Sequence, residues 1–136
     1  MDFGKYDPLK DIMYQVMDKD GKLIKASWDN MLNDNEAKTA YEKMLFARQA
    51  DFKAVSFQRQ GRMYTYPPNL GQEAIAVAAG MIIRDEDWLV PSFRELGAYL
   101  AKGMSLKEYF LYFRGHEDSL IFKNAKNFLP FSVPIA

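Results

Sequence analysis

The chain has 136 residues, 49% hydrophobic and 15% aromatic, which allows one domain with a real core and gives no reason to expect two. Eighteen Lys and Arg balance eighteen Asp and Glu, so no overall field favours nucleic acid or an anionic membrane. The absence of cysteine excludes disulfides and Cys-ligated zinc or iron–sulfur centres, and fits a cytoplasmic protein.

The opening MDFGKYDPLKD lacks the basic cap and apolar run of a signal peptide. No apolar stretch reaches the roughly 18 residues of a membrane span. YQVMDKDGKLI, residues 14–24, predicts two short strands about a turn at Asp18 to Gly21, within an N-terminal arm over residues 1–32. The main domain then runs over 33–136. One long helix is expected from Asn33 to Gln60, where Tyr41, Met44, Leu45, Phe52 and Val55 recur at helical spacing and Gly61 supplies the stop. Arg48 and Asp51, three apart, are placed to pair across a turn of that helix.

RQGRMYTYPPNLGQEA, residues 59–74, is dense in residues that set the backbone, and its Pro67-Pro68 argues against a strand. It leads into GQEAIAVAAGMII, a helix whose small residues allow close packing and whose Ile75 and Ile82 are expected to face the core. Asp85 to Asp87 make a turn, and WLVP reads as a short buried strand. Ser92 with Glu95, and Ser105 with Glu108, match the S-x-x-E capping box and predict helices over 93–102 and 106–113, separated by Gly103. Residues 116–130 read as a loop. The finish NFLPFSVPIA is apolar where termini are usually solvated; a chain cut from a larger protein and a C-terminal strand tucked into a sheet both account for it.

Of the candidate sites, PSFRE (91–95) is the strongest. Arg94 falls in the first turn of a capped helix, where its charge opposes the dipole unless an anion lies between them. A guanidinium fork suits such an anion; pairing with Glu95 or another carboxylate is the structural alternative. Arg59, Arg62, Tyr64 and Tyr66 interleave cations with aromatics as single-strand nucleic-acid grooves do, but the neutral balance and rigid Pro-Pro argue against that partner. Glu73, Glu95 and Glu117 are too dispersed for an acid–base pair. The only histidine, His116, is either a catalytic imidazole or a solvated loop residue. No phosphate-loop, dinucleotide or nucleophile-elbow motif is present.

RQGRMYTYPPNLGQEA, DEDWLVPSFREL, YFLYFRGH and NFLPFSVPIA, in this order and spacing, resemble the alpha subunit of the thiamine-diphosphate-dependent 2-oxoacid dehydrogenases. They resemble in particular the bacterial pyruvate dehydrogenase first component. The resemblance covers almost the whole chain, including the turn MDKDGKLI and the long helix. It implies the mostly helical N-terminal portion of an α/β, three-layer cofactor domain, ending before most of the parallel sheet.

It further implies an alpha2-beta2 heterotetramer with a beta subunit, acting on pyruvate with thiamine diphosphate and Mg²⁺ and passing the acyl group to a lipoyl-bearing acyltransferase core. A branched-chain 2-oxoacid or acetoin dehydrogenase subunit, and a non-catalytic assembly or binding module, are the alternatives. By the same resemblance, Phe93 and Arg94 match the aromatic–Arg pair that grips the diphosphate, with Phe in place of the usual Tyr. Tyr66 matches an aromatic near the substrate pocket, Ile135 the apolar residue supporting the bent cofactor, and Ser132 a residue that helps bind a monovalent cation in some relatives. His116 has a match in sequence, but a second family histidine, two positions on, is Asp118 here. The family's Mg²⁺-binding segment lies beyond residue 136.

Overall fold

In the computed structural model, residues 8–10, 15–24 and 32–120 are described, and the chain divides into two units, Met1–Asp34 and Asn35–Ala136. In the first unit, a carboxylate oxygen of Asp18 accepts from the N–H groups of Asp20 (2.9 Å) and Lys22 (2.8 Å). This Asx geometry closes the predicted turn, and Gly21 supplies its left-handed residue at φ 81°. The pairing beyond the turn is a single antiparallel bridge between Met17 and Leu23. A 3-10 turn, Pro8–Lys10, precedes it.

The second unit is helical. The long predicted helix is present as α1 (Asp34–Arg59), and Gly61 follows it at φ 70°. Its buried face differs from the apolar spacing in the sequence: Ala47, Ala50, Asp51 and Ala54 turn inward, whereas Tyr41, Leu45 and Phe52 remain about half exposed. Small side chains let neighbouring backbone come close, and that decides the register. The expected Arg48–Asp51 pair does not form, because each residue faces a different partner in the loop after α1 or the helix beyond it.

The GQEA segment opens α2 (Glu73–Ile82) as expected, but Ile75 and Ile82 are both 79% exposed. The expectation that they face the core is corrected by Ala76, Val77 and Gly80, which do. A shorter helix, α3 (Leu96–Ala101), lies against this small-residue face. A Cβ on Gly80 would stand 2.5 Å from the Ala98 carbonyl oxygen and 2.8 Å from the Ala101 Cβ. Gly97 meets Ala76 and Val77 in the same way from the other side. The two backbones are therefore in contact where any side chain would separate them.

The predicted turn at Asp85 to Asp87 is held by Arg84, whose N–H and Nε donate to Asp87 Oδ2. WLVP is not a strand: Leu89 is buried at a lone bridge position, and its neighbours lie outside regular structure. The helix expected over 93–102 starts at Leu96, and the Ser92–Glu95 capping box does not form as such. Glu95 instead turns back to accept from the Ser92 and Phe93 N–H groups at 3.1 and 2.6 Å. The second box is present in full: Ser105 and Glu108 cap α4 (Leu106–Arg114), which ends on Gly115 at φ 68°. The stretch read as a loop from 116 begins with a 3-10 turn, Glu117–Leu120.

An aromatic cluster fills the space between these helices. Tyr66 stands edge-on to Phe113 at 5.1 Å between centroids, and Tyr109 touches Phe113 at 5.0 Å and Tyr99 at 6.0 Å. Leu96, Met104, Ala50 and Ala54 complete it. Such aromatic pairs contribute about 0.5–1.5 kcal/mol each beyond the area they bury. Among the described residues no sheet is present, and no helix is long and apolar enough to cross a membrane.

The Gly80 contact gives a direct test. Gly80→Val forces α2 and α3 apart, and overpacking of this kind costs about 1–3 kcal/mol. Ile82→Val, on the exposed face, should change stability by less than about 0.5 kcal/mol. Paired thermal melts measure both; equal shifts would contradict the close approach.

Candidate functional site

The RQGRMYTYPPNLGQEA segment runs from the end of α1 to the start of α2, and three buried polar residues fix its course. Asp51 sits in the middle of the alanine stripe of α1 and is 2% exposed. Its Oδ1 accepts from the Tyr66 hydroxyl and from the Asn69 N–H, both at 2.7 Å. Asn69, also buried, donates through Nδ2 to the Tyr66 hydroxyl (3.1 Å) and the Pro67 carbonyl (2.8 Å). Its Oδ1 accepts the N–H of Leu96 at 3.2 Å. One connected network therefore joins α1, the Pro-Pro loop and the first residue of α3. Burial, then the neighbouring Tyr109 and the bond to Asp51, push the Tyr66 phenol far above its usual range, so it stays protonated and donates.

A second tie binds the far end of the loop. Arg48 Nε and Nη2 donate to the two carboxylate oxygens of Glu73 at 2.7 and 2.8 Å. The Gly71 N–H donates to the same carboxylate from a left-handed backbone, φ 89°. The Arg48 bonds are the main reason that the Glu73 carboxyl is lowered from 4.5 to about 2. Neither anchor is visible as a local motif. The one signal in the sequence is an acid, Asp51, in register with Ala47, Ala50 and Ala54, on a face otherwise suited only to burial.

Arg94 lies just before α3, not within its first turn, and α3 is only six residues long. The dipole part of the sequence argument therefore does not apply here. What holds Arg94 is its Nε, which donates to the Pro68 carbonyl at 3.1 Å. Its guanidinium carbon is 5.9 Å from the centre of the Phe93 ring. Glu95, the obvious local carboxylate, is occupied with the Ser92 and Phe93 N–H groups. Among the described residues, both Nη groups of Arg94 remain available at an exposed position. Pro68 also borders a cavity of about 550 Å³ between α1 and the loop, with Asp51, Phe52, Arg59 and Leu70 on its walls.

Tyr66, Phe93 and Arg94 are thus brought to one region, Tyr66 as an interior residue and Phe93 and Arg94 at the surface. His116 is not joined to them. It follows the Gly115 cap of α4, and its Nδ1 accepts from the Asp118 N–H at 3.2 Å, with the Asp118 carboxylate 3.7 Å away. Ile135 and Ser132 lie outside the described residues. Among the described residues no three His, Asp or Glu side chains gather as a metal site.

Residues 41–134 match the family described as the dehydrogenase E1 component. The chain belongs to this family of thiamine-diphosphate-dependent enzymes. It is similar to the "pyruvate dehydrogenase E1 component subunit alpha" of Mycoplasma genitalium, 35% identical over 123 residues, 90% of this chain and 34% of that one. The subunit of the same name from Acholeplasma laidlawii is 36% identical over 118 residues, 87% of this chain and 34% of its own length. That from Staphylococcus aureus (strain COL) is 33% identical over 104 residues, 76% and 28%. The chain spans about a third of the length of these curated relatives.

Two outcomes test the loop anchors. Asp51→Ala leaves the Tyr66 hydroxyl and the Asn69 N–H buried without their acceptor, at about 1–3 kcal/mol for each group; melting curves should show the combined loss, and Tyr66→Phe a smaller one.

The Glu73 carboxyl is depressed in the folded state, so its contribution is complete above its ordinary value of 4.5 and is lost as pH falls through about 2. Denaturant titrations across that window should show stability falling with acid, with a shallower slope for Glu73→Gln. At neutral pH, Arg48→Ala should lower stability, by less than the loss of a fully buried pair, because the Arg48 side chain is 43% exposed. Identical acid slopes for wild type and Glu73→Gln would contradict the assignment.

Proposed function

We propose that the chain is part of the alpha subunit of a pyruvate dehydrogenase. In this reading it acts in the cytoplasm within an alpha2-beta2 assembly and delivers acyl groups to a lipoyl-bearing acyltransferase core. The names and coverage of the relatives support the choice of 2-oxoacid, with branched-chain and acetoin dehydrogenases as the neighbouring possibilities. The observation that carries the site is Arg94: Nε tied to the Pro68 carbonyl, Glu95 turned elsewhere, and two Nη groups left facing no carboxylate among the described residues.

That donor set fits a diphosphate, which a guanidinium holds through two parallel bonds. When bound, thiamine diphosphate supplies the nucleophilic carbon and the electron sink for decarboxylation of a 2-oxoacid. The chain's own contribution is to anchor and orient. Phe93 and Arg94 hold the diphosphate, and Tyr66, fixed by Asp51 and Asn69, sets the Pro-Pro loop that carries Arg94's acceptor. We assign the Mg²⁺ ligands to sequence beyond residue 136. Ile135 is proposed to support the bent cofactor, Ser132 to help bind a monovalent cation, and His116 to stand near the reacting groups. The second reading, a non-catalytic assembly or binding module, has the large apolar side chains exposed on α1 and α2 in its favour.

Arg94→Ala in the full-length subunit with its beta partner should weaken thiamine diphosphate by roughly one to two decades, the worth of about 1.5–3 kcal/mol. Turnover should largely recover at saturating cofactor, because the anchor is remote from the reacting carbon. Arg94→Lys should recover only part of the affinity, since an ammonium cannot reproduce the fork. Titration of thiamine diphosphate against the three proteins, with melting curves alongside, decides the matter. An unchanged binding constant with a lowered melting temperature would assign Arg94 to structure alone.

A further inference from the structure

A cavity other than the one bordered by Pro68 carries more positive charge. Where the end of α1 meets α4, a depression of about 320 Å³ has an apolar floor of Phe57, Met63, Phe110 and Leu111. Arg62, Lys107 and Arg114 form its rim, and among the described residues no acid lines it. A second depression of about 360 Å³ shares Arg62, Met63 and Arg114 with the first and adds Tyr64. The two arginines therefore stand where the two spaces meet.

All three cations are exposed, and none has a carboxylate partner among the described residues. In a chain whose charges sum to zero, three unpaired cations around one cavity are a local concentration that the overall balance conceals. The floor is ordered: Phe57 and Phe110 meet edge to face at 5.5 Å, and the Arg62 guanidinium carbon lies 4.3 Å from the centre of the Phe57 ring. Lys53 Nζ is 5.0 Å from that same ring centre. A guanidinium resting on a ring keeps its N–H edge for an anion and offers its plane for stacking. The backbone also fixes the rim, because the Tyr64 N–H donates to the Phe113 carbonyl at 2.9 Å and so locks the strip bearing Arg62 to the end of α4.

We propose that this is a binding site for a small anion with a flat aromatic body, the chemistry of a nucleoside phosphate. The phosphate lies between Arg62 and Arg114, and the ring stacks on the Arg62 guanidinium and against Phe110. Each space falls within the range of small-molecule sites. Neither half of such a ligand suffices alone: inorganic phosphate gains no apolar contact, and a neutral nucleoside leaves the cations unanswered.

The test is equilibrium binding of ADP to the full-length protein at low ionic strength, read by calorimetry and by thermal shift, with adenosine and inorganic phosphate in parallel. ADP should bind at least tenfold more tightly than either half and should weaken as salt is raised. Arg62→Gln and Arg114→Gln should each weaken ADP roughly tenfold, the scale of one charge-assisted bond. Lys19→Gln, an exposed cation of the other unit, should leave it unchanged, as should Arg94→Ala. Phosphate binding as tightly as ADP, or ADP insensitive to Arg62 and Arg114, would overturn the proposal. Loss of ADP binding in Arg94→Ala with retention in the rim variants would move the anion to the Pro68 side and overturn it equally. None of these readouts depends on turnover.

Discussion

One carboxylate oxygen, Asp51 Oδ1, organises the loop between α1 and α2. It takes hydrogen bonds from a side chain and from the backbone of that loop, and through Asn69 it reaches the start of α3. A charge so thoroughly buried is costly unless its bonds are made, so the loop has little freedom to adopt another course. The position of Arg94 follows from this. Its acceptor, the Pro68 carbonyl, is held one residue from Asn69, so the guanidinium is fixed through a backbone atom that Asp51 fixes in turn.

The two prolines complete the same logic. A segment without regular structure that runs partly buried would ordinarily strand N–H groups. Pro67 and Pro68 have none to strand, while their carbonyls are both used, by Asn69 Nδ2 and Arg94 Nε. This is the physical reason for a Pro-Pro pair at that place. It also explains why Gly71 follows so soon, since the chain must turn through a left-handed residue to bring its N–H to Glu73.

Much of the helical framework was legible in the sequence because caps and stops are local chemistry. Gly61, Gly103, Gly115 and the Ser105–Glu108 box each act within a few residues. The buried faces were not legible, since apolar spacing selects the largest side chains and packing here selects the smallest. Ile75 and Ile82 point outward so that Gly80 can meet Ala98. Likewise Arg48 and Asp51 look like partners at a distance of three, but their true partners lie 25 and 15 to 18 residues away. Phe93 and Arg94 stand out in the sequence; that Arg94 is tied to the Pro-Pro loop does not, because only the folded chain brings Pro68 to it.

The separation of these partners along the chain sets an order of assembly. α4 carries its whole start and stop within Ser105 to Gly115 and can begin from its own residues. The Pro-Pro loop has no such local programme, for its bonds reach back to α1 and forward to Leu96, 27 residues beyond Asn69. Contacts of long separation form after the entropy of closing the chain has been met. The loop that holds Arg94 is therefore expected to close after α4 has formed. Because the same network positions the Pro68 carbonyl, ordering of this segment and occupancy of whatever Arg94 holds are two sides of one equilibrium.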